Sequence, residues 1–361
     1  MMQRCIGLAK KGMGNVSPNP LVGCVIAKDG KIISEGYHKK FGGDHAEIDA
    51  IKNAIKSGKQ LKGTTLYVNL EPCSHSGKTP PCTDEIIKQK FAKVVIGMQD
   101  PNPLVTGNGI RFLKKNKIKV SENILEDECK KLNKFYLKNI STGLPYVTMK
   151  IAQTIDGYIA DKNYEFKWIT TEESRAYVHG LRNEYDAVLV GRNTLDKDNP
   201  KLNVRLVKGR DPYRIVVDTR LASLTNRKIF KDELRQKTIV ITASRHDFKK
   251  AAALINKGIT IIEADSSSGV IDLQDALAKL YKKDIGSILV EGGAETYNYF
   301  LEQGMVDDVL IFTSQRIMGD GIKALRHGSL DGFTITSTEK INHDILTTLI
   351  KNPPAERAGK S

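Results

Sequence analysis

Short apolar runs alternate with stretches of helical periodicity along almost the whole chain, and few architectures accept that pattern. Leu21–Ala27, Thr64–Leu70 and Lys93–Gly97 read as strands, each apolar and bounded by turn residues. Asp29-Gly30 is a hairpin turn, and Ile32-Ile33 begin the return strand. Residues 1–13 suggest a short helix ending at Gly12-Met13-Gly14. His45–Ile55 gathers Ala46, Ala50, Ile51 and Ala54 on one side, and Thr83–Gln89 reads as a further helix. Strands separated by helices need a sheet covered on both faces, so an α/β sandwich is expected. The turn-rich stretch Asn139–Pro145 is the best linker. Beyond it a second αβ series begins with Tyr146–Ala152. Its strands fall at 187–190, 214–218, 238–242, 259–263 and 287–291, with helices at 171–184, 246–256, 272–283 and 294–303. Two domains follow, over 1–142 and 146–352, with a polar, frayed tail at 353–361.

A length of 361 residues suits two such domains. An apolar fraction of 40% with 27% charged residues excludes a disordered chain. No apolar run reaches the roughly 18 residues a membrane span needs. The N-terminus lacks the apolar core and cleavage site of a secretory signal, so a cytoplasmic protein is expected. Cysteines 5, 24, 73, 82 and 129 form an odd, sparse set, which fits a reducing compartment better than a disulfide framework. The formal charge of +14 has three readings: nucleic-acid binding, a solvated lysine-rich surface, or pockets for phosphorylated small molecules. Charge alone does not choose among them.

Three segments carry metal chemistry. His45-Ala46-Glu47 opens a helix, Glu71-Pro72-Cys73 follows a strand, and Pro80-Pro81-Cys82 opens the next helix. One imidazole and two thiolates suit tetrahedral Zn²⁺ with a fourth position left for water, the arrangement hydrolytic zinc requires. A cysteine at a helix start also lies near unpaired N–H groups that favour the thiolate. Glu47 sits two residues from His45, close enough to shuttle protons without ligating. A His-x-Glu followed by Pro-Cys and a second Cys is the pattern of nucleobase deaminases. That superfamily mostly separates the cysteines by two residues, whereas here eight intervene, Ser74 to Pro81. Any one of these residues alone reads more simply as a packed thiol or a satisfied histidine; their order and placement together favour a site.

The wording around these ligands is distinctive: Ser17-Pro18-Asn19-Pro20-Leu21-Val22-Gly23, Gly36-Tyr37-His38, Gly42-Gly43-Asp44, the run from Glu71 to Cys82 with Gly77-Lys78-Thr79, and Asp100-Pro101-Asn102-Pro103. Over almost the whole chain the sequence closely resembles the bifunctional deaminase–reductase family of riboflavin biosynthesis. The resemblance implies a cytidine-deaminase-like α/β/α sandwich followed by a dihydrofolate-reductase-like α/β domain. It implies deamination of a pyrimidinone that carries a ribosylamino 5′-phosphate, then NADPH-dependent reduction of the ribosyl group to ribityl. Asn19 both donates and accepts, which suits a pyrimidine edge. His38, Ser74, His75, Lys78 and Thr79 offer contacts to ribose and phosphate, and Asp100 and Asn102 to sugar or base polar groups. The plain alternatives are a solvated loop lysine at 78 and a turn residue at 19.

The second domain carries no GxGxxG, which agrees with a reductase outside the Rossmann class. Val147 to Gly157, Trp168-Ile169-Thr170, Leu181-Arg182, Gly191-Arg192-Asn193-Thr194, Asp198 to Arg205 and Val290 to Thr296 match the family in order. A strand ending at Glu291, then Gly292-Gly293, then a helix start lets backbone N–H groups cradle a pyrophosphate. By resemblance, Gln153, Trp168, Thr194, Asp198, Thr219, Gly293, Ala294, Glu295 and Thr296 contact the cofactor. Arg182, Leu202, Arg205 and Glu291 contact substrate, with the guanidinium forks suited to its phosphate. Surface ion pairing is the plain alternative for both arginines. Lys150, Asp198 and Glu291 are the candidates to supply the proton that accompanies hydride. Phe166-Lys167-Trp168 stands where the family has Ser-Lys-Trp, so a substrate-holding hydroxyl is missing. The family also implies a dimer or tetramer.

Two other classes are weighed against this one. A nucleic-acid deaminase needs stacking aromatics near its pocket; aromatics are 6% of the chain, and residues 17–45 offer just Tyr37 and Phe41. It also leaves the second domain without a purpose. A structural zinc module needs four protein ligands where three are visible. Phosphorylated pyrimidines are therefore the expected partners, with no nucleic acid and no membrane.

Overall fold

The computed structural model describes residues 1–74, 80–103, 105–163, 168–267 and 269–353. They divide into two units, Met1–Gly143 and Leu144–Ser361.

In the first unit, β1 (Gly23–Lys28), β2 (Lys31–Tyr37), β3 (Thr65–Leu70), β4 (Lys93–Met98) and β5 (Lys119–Ser121) form a sheet in the order β2-β1-β3-β4-β5. β1 runs antiparallel to β2 and β3, and β3, β4 and β5 run parallel. The expected hairpin is present: Asp29 and Gly30 both take left-handed φ, 49° and 75°, the geometry a tight two-residue turn demands. Strand alternation divides the core. Cys24 and Ile26 pack on one face with α2 (Ala46–Lys56), α3 (Cys82–Lys88) and α4 (Asn108–Lys115). Val25 packs on the other with α1 (Met2–Ala9) and with Cys129 of α5 (Glu126–Leu132).

α2 lies directly on β2 because Gly36 has no side chain. A Cβ there would sit 2.3 Å from the Ala50 amide nitrogen and 2.7 Å from the Ala46 carbonyl. Gly36→Ala must push α2, and with it His45 and Glu47, off the sheet. We expect a loss of about 1–3 kcal/mol in denaturant unfolding with a parallel fall in zinc content; an unchanged midpoint would show that the helix shifts freely.

The second unit is built on a nine-stranded sheet. Its strands are β6 (Tyr146–Thr154), β8 (Ala187–Gly191), β9 (Tyr213–Val217), β10 (Thr238–Ala243), β11 (Thr260–Ala264), β14 (Ser287–Val290), β15 (Asp308–Ser314), β17 (Phe333–Ile341) and β18 (Asp344–Lys351), in the order β11-β10-β9-β8-β14-β6-β15-β18-β17. From β11 to β15 every pairing is parallel, and β18 and β17 close the edge antiparallel. Two short ribbons, β7 (Tyr158–Ala160) with β16 (Ile322–Lys323) and β12 (Ser266–Ser267) with β13 (Val270–Ile271), accompany it. The helices are α7 (Glu172–Glu184), α8 (Arg192–Asp198), α9 (Phe248–Ile255), α10 (Leu273–Tyr281) and α11 (Ala294–Glu302).

Two expectations need correction. Asn139–Thr142 is not linker but the last turn of α6 (Lys134–Thr142), which ends at Gly143 in the left-handed C-terminal conformation. The edge formed by β15, β18 and β17 was not anticipated. β17 reads Phe-Thr-Ile-Thr-Ser-Thr-Glu-Lys-Ile and is mostly exposed, so it lacks the apolar run by which the buried parallel strands announce themselves.

Candidate active sites

His45 is the N-cap of α2, Cys82 the first residue of α3, and Cys73 lies just beyond β3. Their donor atoms lie within 4.8 Å of one another. Sγ of Cys73 is 3.6 Å and Sγ of Cys82 3.3 Å from His45 Nδ1. Ligands about 2.0 and 2.3 Å from a tetrahedral zinc stand about 3.6 Å apart, so the donor set fits that ion. The three groups share protons closely. The Cys73 thiol is held down at about 4, chiefly by its hydrogen bond with Cys82, against burial and with help from His45. His45 is raised to about 9, chiefly by its bond to Cys73. Cys82 moves upward because it keeps the proton the two thiols share. The Cys82 amide also donates to Cys73 Sγ at 3.3 Å. Cys73→Ala removes the more acidic thiol, and we expect zinc per chain to fall well below one; an unchanged stoichiometry in the purified protein would reject Cys73 as a ligand.

Glu47 is 4% exposed in the first turn of α2. Burial lifts its carboxyl to about 7, against the attraction of His45. Asn19 and His38 meet: Asn19 Nδ2 is 3.1 Å from His38 Nε2, and His38 Nδ1 is 2.9 Å from the Asp44 carbonyl. The carbonyl only accepts, so the imidazole proton is on Nδ1 and Nε2 accepts from Asn19. The two rings of His38 and His45 stand edge to face, centroids 5.8 Å apart. Asp100 is buried, with Oδ1 accepting from the Tyr136 hydroxyl and the Asn102 amide, both at 2.9 Å. That oxygen shapes its own loop; Asn102 is half-buried beside it. Ser74 follows Cys73 and is also half-buried. His75, Lys78 and Thr79 lie outside the described residues, as does Phe166. Sequence reasoning missed Glu71, whose buried carboxylate accepts from the amides of Asp100, Gly107 and Ile110 at 3.3, 2.9 and 3.2 Å. Its place before Pro72-Cys73 was the available signal.

In the second unit a cavity of about 1280 Å³ opens where β8, β9 and β14 end, the usual position of ligands on a parallel sheet. Lys150, Trp168, Arg182, Thr194, Asp198, Leu202, Arg205, Thr219, Glu291, Gly293, Ala294, Glu295 and Thr296 all line it. Gln153 does not. Lys150 and Ala152 of β6 line the cavity, and alternation turns residue 153 to the opposite face. Gly191 and Gly292 let two strand ends close around Thr296, since a Cβ would fall 2.3 Å from its Oγ1 and 2.7 Å from its Cβ. Leu202 holds a left-handed φ of 53°, a strained conformation for so large a residue.

The charges at the centre are coupled. Arg182 donates to both Glu291 oxygens, at 2.6 and 2.9 Å, and to the Asn203 carbonyl at 3.0 Å. Lys150 Nζ is 3.4 Å from Glu291. Burial favours the neutral acid, but Arg182 and Lys150 overcome it and hold Glu291 down at about 2. Glu291 is thus an ionised carboxylate held between two cations, and Arg182 makes this ion pair from within the lining of the same cavity. Arg205 stays exposed, donating Nη1 to Asn203 Oδ1 at 3.1 Å. Asp198 is shifted upward by burial. His179 was missed altogether. Its Nδ1 accepts the Arg205 amide at 3.1 Å, and burial with Arg182 and Arg205 presses it to about 4, so the ring is neutral. Arg175 stacks over exposed Trp168, 4.5 Å from the ring centre.

Residues 145–347 match the family model described as RibD C-terminal domain, and residues 1–98 the cytidine and deoxycytidylate deaminase zinc-binding region. The chain is 39% identical over 363 residues to the riboflavin biosynthesis protein RibD of Actinobacillus pleuropneumoniae, covering 98% of this chain and 95% of that one. It is 42% identical over 322 residues to RibD of Aquifex aeolicus, covering 89% and 88%. A crystal structure of a diaminohydroxyphosphoribosylaminopyrimidine deaminase/5-amino-6-(5-phosphoribosylamino)uracil reductase from Thermotoga maritima matches with a TM-score of 0.86 at 41% identity, over 97% of both chains. Acinetobacter baumannii RibD matches with a TM-score of 0.86 at 35% identity, over 98% of both. The expected architecture, a cytidine-deaminase-like unit followed by a reductase unit, is the one found. With both halves matched in the same order and over the full span of these relatives, the chain belongs to the RibD family of riboflavin biosynthesis proteins.

Proposed function

We propose that the two sites act in turn on one phosphorylated pyrimidine, the deaminase over 1–142 and the reductase over 146–352. The chain is a bifunctional deaminase and reductase of riboflavin biosynthesis, with zinc in the first domain and NADPH in the second. The observation that carries the reading is the buried Glu47 carboxyl beside the three-donor cluster of His45, Cys73 and Cys82.

His45, Cys73 and Cys82 would hold the zinc, which would supply a water acidified for attack at neutral pH. Glu47 would be the proton shuttle, carrying one proton of the attacking water to the ring nitrogen and the other to the departing amine. The C2–N bond of 2,5-diamino-6-ribosylamino-4(3H)-pyrimidinone 5′-phosphate breaks, the carbon becomes a carbonyl, and ammonia leaves. Asn19 would read the pyrimidine edge; His38, Ser74, His75, Lys78 and Thr79 would contact ribose and phosphate, and Asp100 and Asn102 sugar or base polar groups.

In the second site bound NADPH would supply the hydride that reduces the anomeric carbon. Trp168, Thr194, Asp198, Thr219 and the Gly293–Thr296 stretch would hold the cofactor, and Arg182, Leu202, Arg205 and Glu291 the substrate. As the anomeric C–O bond breaks, the ring oxygen must gain a proton, and of Lys150, Asp198 and Glu291 we assign that proton to Lys150. Among the described residues no helix is long and apolar enough to cross a membrane; we place the enzyme in the cytoplasm, as a dimer or tetramer.

The test is one assay of the purified chain on the diaminopyrimidinone, with and without NADPH and with zinc quantified. Deamination without NADPH, followed by NADPH oxidation as product accumulates, is the expected result. No turnover despite about one zinc per chain would return the nucleic-acid deaminase reading, with single-stranded substrates tried next.

A further inference from the structure

The segment leading into β1 carries Asn19; the Val22 carbonyl accepts from the His38 amide at 2.9 Å, and strand pairing begins at Gly23. Where its backbone groups go is therefore informative. The Leu21 amide donates to Asn133 Oδ1 at 2.8 Å. The Leu21 carbonyl accepts from Asn69 Nδ2 at 2.9 Å and from Asn133 Nδ2 at 3.1 Å. The Gly23 amide donates to Asn69 Oδ1 at 2.7 Å. Two asparagines thus stand in for a neighbouring strand, each using both ends of its carboxamide. Asn69 is 0% and Asn133 2% exposed. One lies at the end of β3, four residues before Cys73, and the other between α5 and α6.

The consequence runs toward the metal ligands. Asn19 is two residues before the clamped Leu21, and its carboxamide is held from the other side by His38, which is fixed to Asp44 and edge-on to His45. Asn69 joins that loop to the strand that delivers Cys73. We propose that Asn69 and Asn133 are positioning residues of the deaminase: by clamping Leu21 and Gly23 they set the place of Asn19 relative to the metal ligands, and with it the affinity for the pyrimidine ring. This rests on the reading of Asn19 as the pyrimidine contact.

The full chain is tested as Asn19→Ala, Asn69→Ala, Asn133→Ala, Asn133→Asp and the Asn19→Ala/Asn133→Ala double variant. Deaminase KM and kcat, zinc per chain and the reductase rate are measured for each. Loss of a buried clamp bond is expected to raise KM about tenfold with kcat much less affected, and with zinc and reductase rate retained. In the double variant the second change should add little to KM, because both act through one side chain. Asn133→Asp keeps the acceptor for the Leu21 amide and provides a variant of unchanged shape should the alanine fail to fold; its KM should still rise. An unchanged KM in the clamp variants, beside a raised one in Asn19→Ala, would overturn the inference and leave the reading of Asn19 intact. Loss of zinc and kcat together would reduce the asparagines to structural residues and overturn it too. An unchanged KM in Asn19→Ala would overturn both.

Discussion

Glu47→Gln is expected to bind zinc as the parent chain does and to lose deamination by about 10²–10⁴-fold, the range a general acid–base group supplies. Glutamine keeps the shape of the side chain at a position that is 4% exposed, so packing in the first turn of α2 changes little. What it removes is the site for the travelling proton. His45, Cys73 and Cys82 are untouched, and their spacing sets metal content. Reductase activity is measured in the same sample on deaminated substrate and should be unaltered. Retained deamination would take Glu47 out of the mechanism. Zinc loss would show instead that the carboxylate supports the ligands. Glu47→Asp, which keeps the acid but shortens its reach, should recover part of the rate if proton transfer is the role.

The residues that could be read in the sequence and those that could not differ in a physical way. His45, Cys73 and Cys82 were legible because metal binding restricts both residue type and spacing, and because strand ends and helix starts are where such ligands lie. The buried parallel strands β8, β10 and β14 were legible as short apolar runs. β17 was not, since an exposed edge strand carries Thr, Ser, Glu and Lys and shows neither apolar run nor simple alternation. Glu71, His179, Asn69 and Asn133 were missed for a different reason. Each acts on backbone groups distant in sequence, Asn133 on Leu21 and His179 on Arg205, and a polar residue that meets a distant amide looks locally like any surface residue. Arg182 lines the expected pocket, but its ion pair with Glu291 was not anticipated. A guanidinium fork fits phosphate and carboxylate alike, and only the fold brings Glu291 within 2.6 Å of it.

That pairing leads to the other large effect. Lys150→Met is expected to lower the reductase rate by about 10²–10⁴-fold while deamination, in a separate unit, continues. Glu291 is held at about 2 and has no proton to give near neutrality, whereas an ammonium carries three donors. Glu291→Gln tests the same cluster from the anionic side. It strands Arg182 and Lys150, whose side chains are 11% and 14% exposed, beside each other without a counter-charge. Breaking a buried pair in this way costs about 3–5 kcal/mol, so both the reductase rate and the unfolding midpoint of the second unit should fall. The sign of the pH dependence separates the two causes. A carboxylate depressed from 4.5 to about 2 stabilises the fold fully above its unfolded value and loses that contribution as pH falls through the folded one. The stability gap between the parent chain and Glu291→Gln should therefore be constant from neutral pH to about 5 and narrow toward pH 2. A gap that stayed constant through the acid range would mean that the Glu291 carboxylate is not depressed in the folded chain, and Lys150 would then lose the argument that singles it out as the proton donor.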